Sequence, residues 1–305
     1  MPPRSPLPAR HGLSAAWLRT PDRDRSRADA WSTMGEWLRD RLPSHVDVAD
    51  MLEQGRFVDE GGAAVRADDP YGPHRFVWFH RDLREEPEVT APIHVVHRDE
   101  RLVVVDKPAF LSSIPRGRHV RQSVVVRLRS ELGLPDLSPL HRLDRVTSGL
   151  LMLATEPRWR GPYQSLFEHR AVDKTYWALA PLRDDLTFPV VVRNHLHKAR
   201  GSWQAEVVPG AAVNAETLVE LESEVDGRGV YRLTPRTGRT HQLRVHLDGL
   251  GIPIVDDPLY PEVRDVDVDD FSRPLQLLAG ELAFTDPVDG SSRRFRSVRR
   301  LPLAP

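Results

Sequence analysis

Short β-like segments at irregular spacing are the feature of this 305-residue chain that most restricts its fold. From residue 93 onward, apolar and β-branched runs alternate with turn residues, and helical patterns interrupt them without a regular period. Strict strand–helix alternation would predict a doubly wound parallel sheet, and an internal repeat would predict a solenoid. Since neither is present, the sequence predicts an α+β fold with flanking helices around a mixed, largely antiparallel central sheet.

The individual elements follow from hydrophobic periodicity and turn residues. The predicted strands are Ile93–Val96, Leu102–Asp106, Leu150–Ala154, Thr175–Ala180, Thr217–Leu221 and Val230–Leu233. The predicted helices are Val120–Leu132, Arg158–Arg170 and His241–Gly249.

Composition divides the chain into three parts. Residues 1–30, rich in Pro, Arg, Asp and Ser, predict a flexible leader. Residues 31–85 predict two short helices, a hairpin and a strand, and with the segment MLEQGRFVDEGGAAVRADD they resemble the S4-like RNA-binding module. An unrelated small α+β extension fits the same pattern. The acidic, Pro-bearing segment 83–92 is typical of a linker, so residues 86–305 form the predicted main domain.

Charge and cysteine content exclude several classes of protein. The formal net charge is -1, so a polyanionic partner requires a local basic patch, and arginine supplies most of the basic charge. The chain has no cysteine, which excludes disulfides and thiolate chemistry and fits a reducing cytoplasm. No window approaches the roughly 20 apolar residues that span a bilayer, so we expect a soluble, cytoplasmic protein.

The segment PLHRLDRVTSGLLMLA, residues 139–154, places a polar cluster directly before an apolar strand. Asp144 stands between Arg142 and Arg145, and nearby positive charge favours its carboxylate form. A loop at a strand end is also where a scaffold can hold a reactive group. The physical pattern alone favours a surface salt-bridge cluster at a turn, because most clusters of charged residues are solvated surface.

The segment TGRTHQLRVHL, residues 237–247, predicts a tight turn followed by a helix with Thr240 near its cap. Amides at a helix N-terminus beside Arg239 and His241 would suit a phosphate. Leu243 and Leu247 form the apolar stripe, so Arg244 points away from it. His241 and His246 are five residues apart, unlike the i, i+4 pair of a zinc-binding helix, so we expect no metal.

In the segment DKTYWALA, residues 173–180, strand alternation places Lys174 and Tyr176 on one face. A cation and a flat ring two residues apart can contact one nucleotide. An ordinary β-strand shows the same pattern.

Taken in order, these three segments resemble the motifs of the RluA-type pseudouridine synthases, and the resemblance covers about residues 93–302. It implies that residues 86–305 are a catalytic domain with the pseudouridine synthase sheet, which isomerises a uridine in structured RNA without a cofactor. It further implies that Asp144 is the nucleophile, that Arg142 enters the RNA stack, and that Arg244 pairs with Asp144. Tyr176 matches the tyrosine that packs on the flipped base and is proposed to take its C5 proton.

The resemblance also sets the expected RNA contacts and partners. We expect RNA contacts from Arg142, Arg145, Lys174, Arg239, Thr240, His241 and Gln242. We expect a monomer that acts on 23S ribosomal RNA, with tRNA as the second candidate. A non-catalytic RNA-binding assembly factor is the competing function, and the presence of Asp144, Tyr176 and Arg244 argues against it.

Four positions depart from the usual family pattern. Phe110, Asp256 and Pro261 stand where glycines are common, and Leu278 stands where a histidine is common. All four lie outside the three motifs, so they affect the expected substrate contacts more than the chemistry.

Overall fold

The computed structural model describes residues 3–21, 31–83, 85–115 and 119–303. They form two compact units, Met1–Glu85 and Glu86–Pro305. In the described part of the chain, no helix is long and apolar enough to cross a membrane.

The N-terminal unit packs two short helices and a two-stranded sheet around an apolar core. Its elements are β1 (Ala16–Arg19), α1 (Met34–Arg41), α2 (Val48–Glu53) and β2 (Phe76–Phe79). Trp37 and Phe57 are fully buried in the core between them. The S4-like assignment of this unit remains a prediction.

Part of the predicted leader is ordered within this unit. Residues Ala16–Arg19 pair antiparallel with Phe76–Phe79, so they form a strand where the sequence predicts flexible chain. The pairing brings Trp17 beside Trp78, a contact that local composition does not reveal. Residues 22–30 of the predicted leader lie outside the described residues.

The C-terminal unit is built on a ten-stranded mixed sheet. Its strands, with those of a separate two-stranded ribbon, are β3 (His94–Arg98), β4 (Leu102–Lys107), β5 (Ser138–Pro139), β6 (Ser148–Ala154), β7 (Asp173–Pro181), β8 (Val190–Asn194), β9 (Leu196–His197), β10 (Glu206–Val207), β11 (Ala215–Val225), β12 (Arg228–Pro235), β13 (Leu277–Thr285) and β14 (Ser292–Arg296). Its helices are α3 (Val124–Leu132), α4 (Pro157–Glu168) and α5 (Gln242–Gly249). Every strand and helix predicted for this unit has a counterpart, and the predicted α+β class with a mixed sheet is confirmed.

The sheet order is β3-β4-β6-β13-β7-β12-β11-β8, with β5 added to β6 and β14 added to β13. Every described pairing in this sheet is antiparallel except that of β6 with β13, at its centre. The separate ribbon pairs β9 with β10.

Side chains alternate between the two faces of each strand, and this divides the core of the C-terminal unit into a layer on either side of the sheet. On β4, Val103 and Val105 pack with α3, whereas Leu102 and Val104 pack on the opposite face with Tyr163 of α4. Because helices cover both faces, β4 is buried throughout and reads as a continuous apolar run. Helix α5 packs on the other half of the sheet, against β7, β11 and β12.

Part of the predicted linker belongs to the fold of the C-terminal unit. The Glu86 carboxylate accepts hydrogen bonds from the backbone amides of Val120, Arg121 and Gln122. Val89 is buried against α3. Since these amides are bound to Glu86, α3 starts at Val124 rather than at the predicted Val120.

Gly149 permits the close approach of β6 and β13 at the sheet centre. Its φ of +111° is a conformation that side chains rarely adopt, and a Cβ there would lie 2.2 Å from the Ala279 carbonyl oxygen. The obstacle is backbone, which cannot move aside as the end of a flexible side chain can. The parallel pairing therefore requires glycine at this position.

We expect Gly149→Ala to destabilise the protein by at least about 2 kcal/mol, because it adds backbone strain to a steric clash. The measurement is the free energy of unfolding from urea denaturation followed by circular dichroism. Gly161→Ala is the matched control, because Gly161 lies in α4 and an added Cβ there would have nothing within 4 Å, so it should be neutral or slightly stabilising. Equal stability of the two variants would contradict this account of the sheet centre.

Candidate active site

Asp144 lies in the loop between β5 and β6, at the start of the central strand. The neighbouring Leu143 is held by Ser113, whose Oγ donates to the Leu143 carbonyl at 2.8 Å and accepts from the Leu143 amide at 3.0 Å. The Thr147 amide donates to the Asp144 carbonyl, which closes the turn. The Asp144 side chain is 32% exposed, so it is accessible from solvent although its loop is fixed.

Lys107 supports the same loop from inside the protein. Its side chain is fully buried, and Nζ donates to the carbonyl oxygens of Pro108, Leu111 and Arg145 at 3.0, 2.9 and 3.2 Å. Burial lowers the pKa of Lys107 to about 7, and the negative charge of Asp144 opposes this effect. Lys107 thus joins the end of β4 to the residue that follows Asp144.

Arg244 reaches Asp144 from α5 and is itself fixed by Asp257. Its Nε donates to Asp257 Oδ2 at 2.7 Å and its Nη2 to Asp257 Oδ1 at 2.6 Å, and both side chains are buried. Its Nη1 donates to Asp144 Oδ2 at 3.3 Å. The guanidinium also lies 5.2 Å from the centre of the Tyr260 ring. Arg244 therefore presents one donor to Asp144 in an orientation set by a buried bidentate pair.

His241 completes this side of the cleft. It adopts a left-handed conformation at the N-cap of α5, with φ +58°. Its Nδ1 is hydrogen-bonded to Tyr260 Oη at 2.9 Å, and its Nε2 lies 3.9 Å from Asp144 Oδ2. Burial lowers the pKa of His241 to about 4, so the ring is neutral at pH 7.

Tyr176 lies on β7, and its ring packs against the apolar cluster beneath α5. Burial raises the pKa of its phenol, and the negative charge of Asp144 raises it further. The phenol is therefore protonated at neutral pH, within electrostatic range of the Asp144 carboxylate.

The predicted RNA contacts divide into exposed residues and residues committed to the fold. Arg142, Arg239 and Thr240 are exposed. Arg145 instead donates to the carbonyl oxygens of Phe110 and Val268, at 3.3 and 2.9 Å. Gln242 is buried and bridges α5 to β11, because its amide nitrogen donates to the Glu216 carbonyl and to Thr217 Oγ1. These contacts give Arg145 and Gln242 roles in holding the fold.

A cavity of about 570 Å³ lies beside Lys174, at the edge formed by β7 and β12. Arg170, Lys174 and Arg236 are among its lining residues. Lys174 Nζ donates to the Thr237 carbonyl at 3.0 Å, and burial lowers the pKa of Lys174 to about 8. The lining also includes Asp173 and Glu216, and Arg236 donates to Glu216 at 3.3 Å, so the cavity brings cations and carboxylates together next to the third motif.

The other histidines of the motifs are structural. His141 Nε2 accepts from the Met152 amide at 3.1 Å, and its ring stacks on Phe167. His246 is fully buried, with its two ring nitrogens hydrogen-bonded to Thr217 Oγ1 and Asn194 Oδ1 at 2.9 and 3.0 Å. Burial lowers their pKa values, to about 3 for His141 and about 4 for His246. Among the described residues, no cluster of three histidine or carboxylate side chains could hold a metal ion.

Two departures from the family pattern occupy strained backbone. Phe110 and Asp256 have φ of +68° and +60°, in the left-handed region where glycine is favoured. The Phe110 ring packs 5.3 Å from the Phe271 ring, and Arg145 lies over its face. Asp256 forms an ion pair with Arg273 at 3.1 Å. At both positions, the side chain makes contacts that a glycine would lack.

Three residues for which the sequence predicts no role lie at the site: Lys107, Asp257 and Tyr260. Asp257 and Tyr260 lie in the segment GIPIVDDPLY, which resembles a family segment but shows no periodic pattern of its own. Their role depends on tertiary contact with α5.

Comparison with known proteins now identifies the family. Residues 101–248 match the family model described as RNA pseudouridylate synthase. The chain is 32% identical over 223 residues to the dual-specificity RNA pseudouridine synthase RluA of Vibrio parahaemolyticus, covering 67% of this chain and 82% of that protein. The chain belongs to the RluA-type family of RNA pseudouridylate synthases.

The chain also matches parts of two longer proteins, and one solved structure has a similar fold. The chain is 37% identical over 184 residues to human pseudouridylate synthase RPUSD2, and 34% identical over 185 residues to the mitochondrial tRNA pseudouridine(32) synthase of Saccharomyces cerevisiae. Each match covers 59% of this chain, but only 33% of the human and 40% of the yeast protein. The structure of human RNA pseudouridylate synthase domain containing 1 superposes with a TM-score of 0.56 at 25% identity, covering 70% of this chain and 86% of that one.

We expect Asp257→Asn to lower kcat for pseudouridine formation by roughly 100-fold, because Arg244 loses the partner that orients it toward Asp144. The variant should also lose about 1.5–3 kcal/mol of stability, because a buried bidentate contact to a carboxylate is weakened while Arg244 keeps its contact with Asp144 at 3.3 Å. Single-turnover kinetics and urea denaturation measure the two effects. Asp184→Asn, at an exposed carboxylate, is the control. An unchanged kcat in folded Asp257→Asn would show that Arg244 is oriented without Asp257.

We expect His246→Gln to reduce the acid sensitivity of the fold. The pKa of His246 is near 4 in the folded chain and about 6.5 when unfolded, so its contribution to stability is present above pH 6.5 and is lost as pH falls toward 4. The stability of the wild type should therefore fall relative to the variant by about 1.4 kcal/mol per pH unit between pH 6 and 4.5. Urea denaturation across this range tests it, and parallel curves for the two proteins would contradict it.

Proposed function

We propose that this chain converts a specific uridine in structured RNA to pseudouridine, with Asp144 as the nucleophile. The observation that carries the proposal is the arrangement at Asp144: an accessible carboxylate in a fixed loop, bound by an arginine whose orientation is set by Asp257. A nucleophile held in one position needs little reorganisation to react with a base delivered into the cleft. Membership of the RluA-type family supports the same reaction.

The reaction is an isomerisation and needs no group from outside. The target base leaves its stack, at a cost of a few kcal/mol that is lowest in loops and bulges. The Asp144 carboxylate attacks C6 of the base or C1′ of the ribose, and the N1–C1′ bond breaks. The enclosed uracil turns, C5 bonds to C1′, the carboxylate is released, C5 loses its proton and N1 gains one.

Tyr176 and Arg244 have separate roles in this proposal. Arg244 positions Asp144 and offsets its charge until attack begins. Tyr176 provides a flat, protonated phenol for the flipped base. To take the C5 proton, Tyr176 would first have to pass its own proton on, and its raised pKa disfavours the phenolate form that could accept one directly. The Asp144 carboxylate, once released, is an alternative acceptor for the C5 proton.

For the substrate, we propose ribosomal RNA, and specifically 23S rRNA, because the N-terminal unit resembles the S4-like module of family members that act there. A tRNA is the second candidate, and the name of the yeast relative, a tRNA pseudouridine(32) synthase, favours it. Arg142, Arg239 and Thr240 are exposed within the motifs and are the proposed RNA contacts, together with Lys174 at the cavity and His241 beside Asp144.

We expect Asp144→Ala to abolish pseudouridine formation and to leave RNA binding within a few-fold of wild type, because the loop is held by Ser113 and Lys107 rather than by the carboxylate. The measurement is a pseudouridine map of total RNA from a gene deletion complemented with wild type, Asp144→Ala or the exposed-site control Asp184→Ala.

A site that is restored by wild type and Asp184→Ala but not by Asp144→Ala would identify the substrate and the nucleophile together. Restoration of that site by Asp144→Ala would exclude Asp144 as the nucleophile. A site in tRNA rather than rRNA would correct the proposed substrate without affecting the chemistry.

A further inference from the structure

Trp203 is the most exposed of the large apolar side chains in the described residues, at 74%. It lies in the eight-residue loop 198–205, which connects β9 to β10. Val207, Val208 and Val213, in β10 and the segment that follows it, are exposed as well. An indole left in water is unusual, because it withholds a large apolar face from the core, and it is typical of a binding site.

The loop holds this indole outward by fixing the backbone on both sides of it. Lys198 Nζ donates to the carbonyl oxygens of Ser202 and Trp203, each at 2.7 Å. Ser202 Oγ donates to the Gln204 carbonyl at 2.7 Å, and Gln204 Nε2 donates to the Leu259 carbonyl. The exposure of Trp203 is therefore built into an anchored loop and does not reflect a loose chain end.

A short series of contacts connects the loop to the candidate nucleophile. The Ala205 amide donates to Tyr260 Oη at 2.7 Å, and the same hydroxyl is hydrogen-bonded to His241 at 2.9 Å. His241 Nε2 in turn lies 3.9 Å from Asp144 Oδ2. The positive charge of Lys198 also contributes to the lowered pKa of His241. The loop is therefore connected to the Asp144 site through Tyr260 and His241.

The charges of the loop identify the kind of ligand. Lys198 and Arg200 lie within it, and Glu206 is the first acidic residue after them. An anionic chain with flat, apolar faces matches this combination of cations and an exposed indole. Single-stranded nucleic acid has both properties, and stacking on an aromatic ring does not depend on which base is present.

We propose that loop 198–205 is a base-stacking site in which Trp203 packs against an unpaired base of the RNA next to the target uridine, while Arg200 faces its phosphates and Lys198 holds the loop. The proposal rests on the proposed function, because it assigns this rim to the same RNA. It adds a contact that none of the three motifs contains and that would hold the strand after the target nucleotide has left its stack.

Binding of a fluorescein-labelled uridine decamer, measured by anisotropy, tests the proposal. All variants are made in the Asp144→Ala background, so that binding is read without turnover. We expect Trp203→Ala to raise the dissociation constant between about 5-fold and 100-fold, the range that the loss of one stacked base produces. Trp203→Tyr should stay within about 3-fold, because it keeps an aromatic face. Val288→Ala, at an exposed apolar residue in the turn between β13 and β14, is the control and should bind normally.

A second decamer, with abasic ribose at its internal positions, separates stacking from a general effect on the fold. On this probe, the Asp144→Ala protein should bind equally well with and without the Trp203→Ala substitution, because no base is available to stack. Equal loss of binding on both probes would overturn the proposal. Undiminished binding of the uridine decamer by Trp203→Ala would overturn it as well, and so would failure of the Asp144→Ala protein itself to bind that decamer.

Sedimentation of the same proteins tests whether this surface instead joins two copies of the chain. A dimer that Trp203→Ala converts to monomer would overturn the proposal and make this surface a contact between two copies. The pseudouridine map reports on the proposed function separately, so loss of the stacking site and loss of the catalytic assignment give different results.

Discussion

The buried pair between Arg244 and Asp257 is the interaction on which the candidate site depends. Both side chains are withdrawn from water, which is costly unless the geometry is good and the remaining polar atoms are satisfied. Here the pair is bidentate, and the amides of Leu259 and Tyr260 donate to Asp257 as well. With two of its nitrogens fixed, Arg244 can offer Nη1 to Asp144 in only one orientation. The buried pair between Arg244 and Asp257 thus positions a hydrogen-bond donor for Asp144, which is open to solvent.

The central sheet brings Asp144 and Arg244 together. Asp144 precedes β6 and Arg244 lies on α5, and they are separated by 100 residues in the chain. Strand β13 lies between β6 and β7 and joins the two halves, and Gly149 lets β6 and β13 approach at the point where the loop that carries Asp144 ends. Val146 packs against the apolar clusters of both halves. Rearrangement of the sheet centre would therefore separate the carboxylate from its arginine.

Sequence patterns predicted the elements of the C-terminal unit because strands and helices depend on local periodicity. The three motifs also located Asp144, Tyr176 and Arg244 on a loop, a strand and a helix, as the structure has them. Patterns could not show which polar residues face outward. Arg145 and Gln242 resemble RNA contacts in the sequence, yet their partners are protein carbonyl and hydroxyl groups supplied by distant segments.

The residues that sequence analysis missed share a physical reason. Lys107 and Asp257 are charged residues in the interior, and burial of a charge is explained only by partners that tertiary structure brings to it. Likewise, Phe110 and Asp256 occur where the backbone favours glycine, and their contacts with Phe271 and Arg273 become visible only in three dimensions. Periodicity identifies which face of an element is apolar, but it does not identify pairs across the fold.

The protonation states around Asp144 limit how the proposed reaction can move its proton. His241 is neutral at pH 7, Tyr176 is protonated, and Arg244 is committed to two carboxylates. Of those two carboxylates, Asp144 is the one open to solvent. In the proposed attack it forms a covalent bond and loses its negative charge. In the proposed reaction, the carboxylate is free again once C5 has bonded to C1′, and it then lies next to the enclosed uracil. Under the proposed function, Asp144 as nucleophile is therefore also the alternative to Tyr176 as acceptor of the C5 proton, at a later stage of the same reaction.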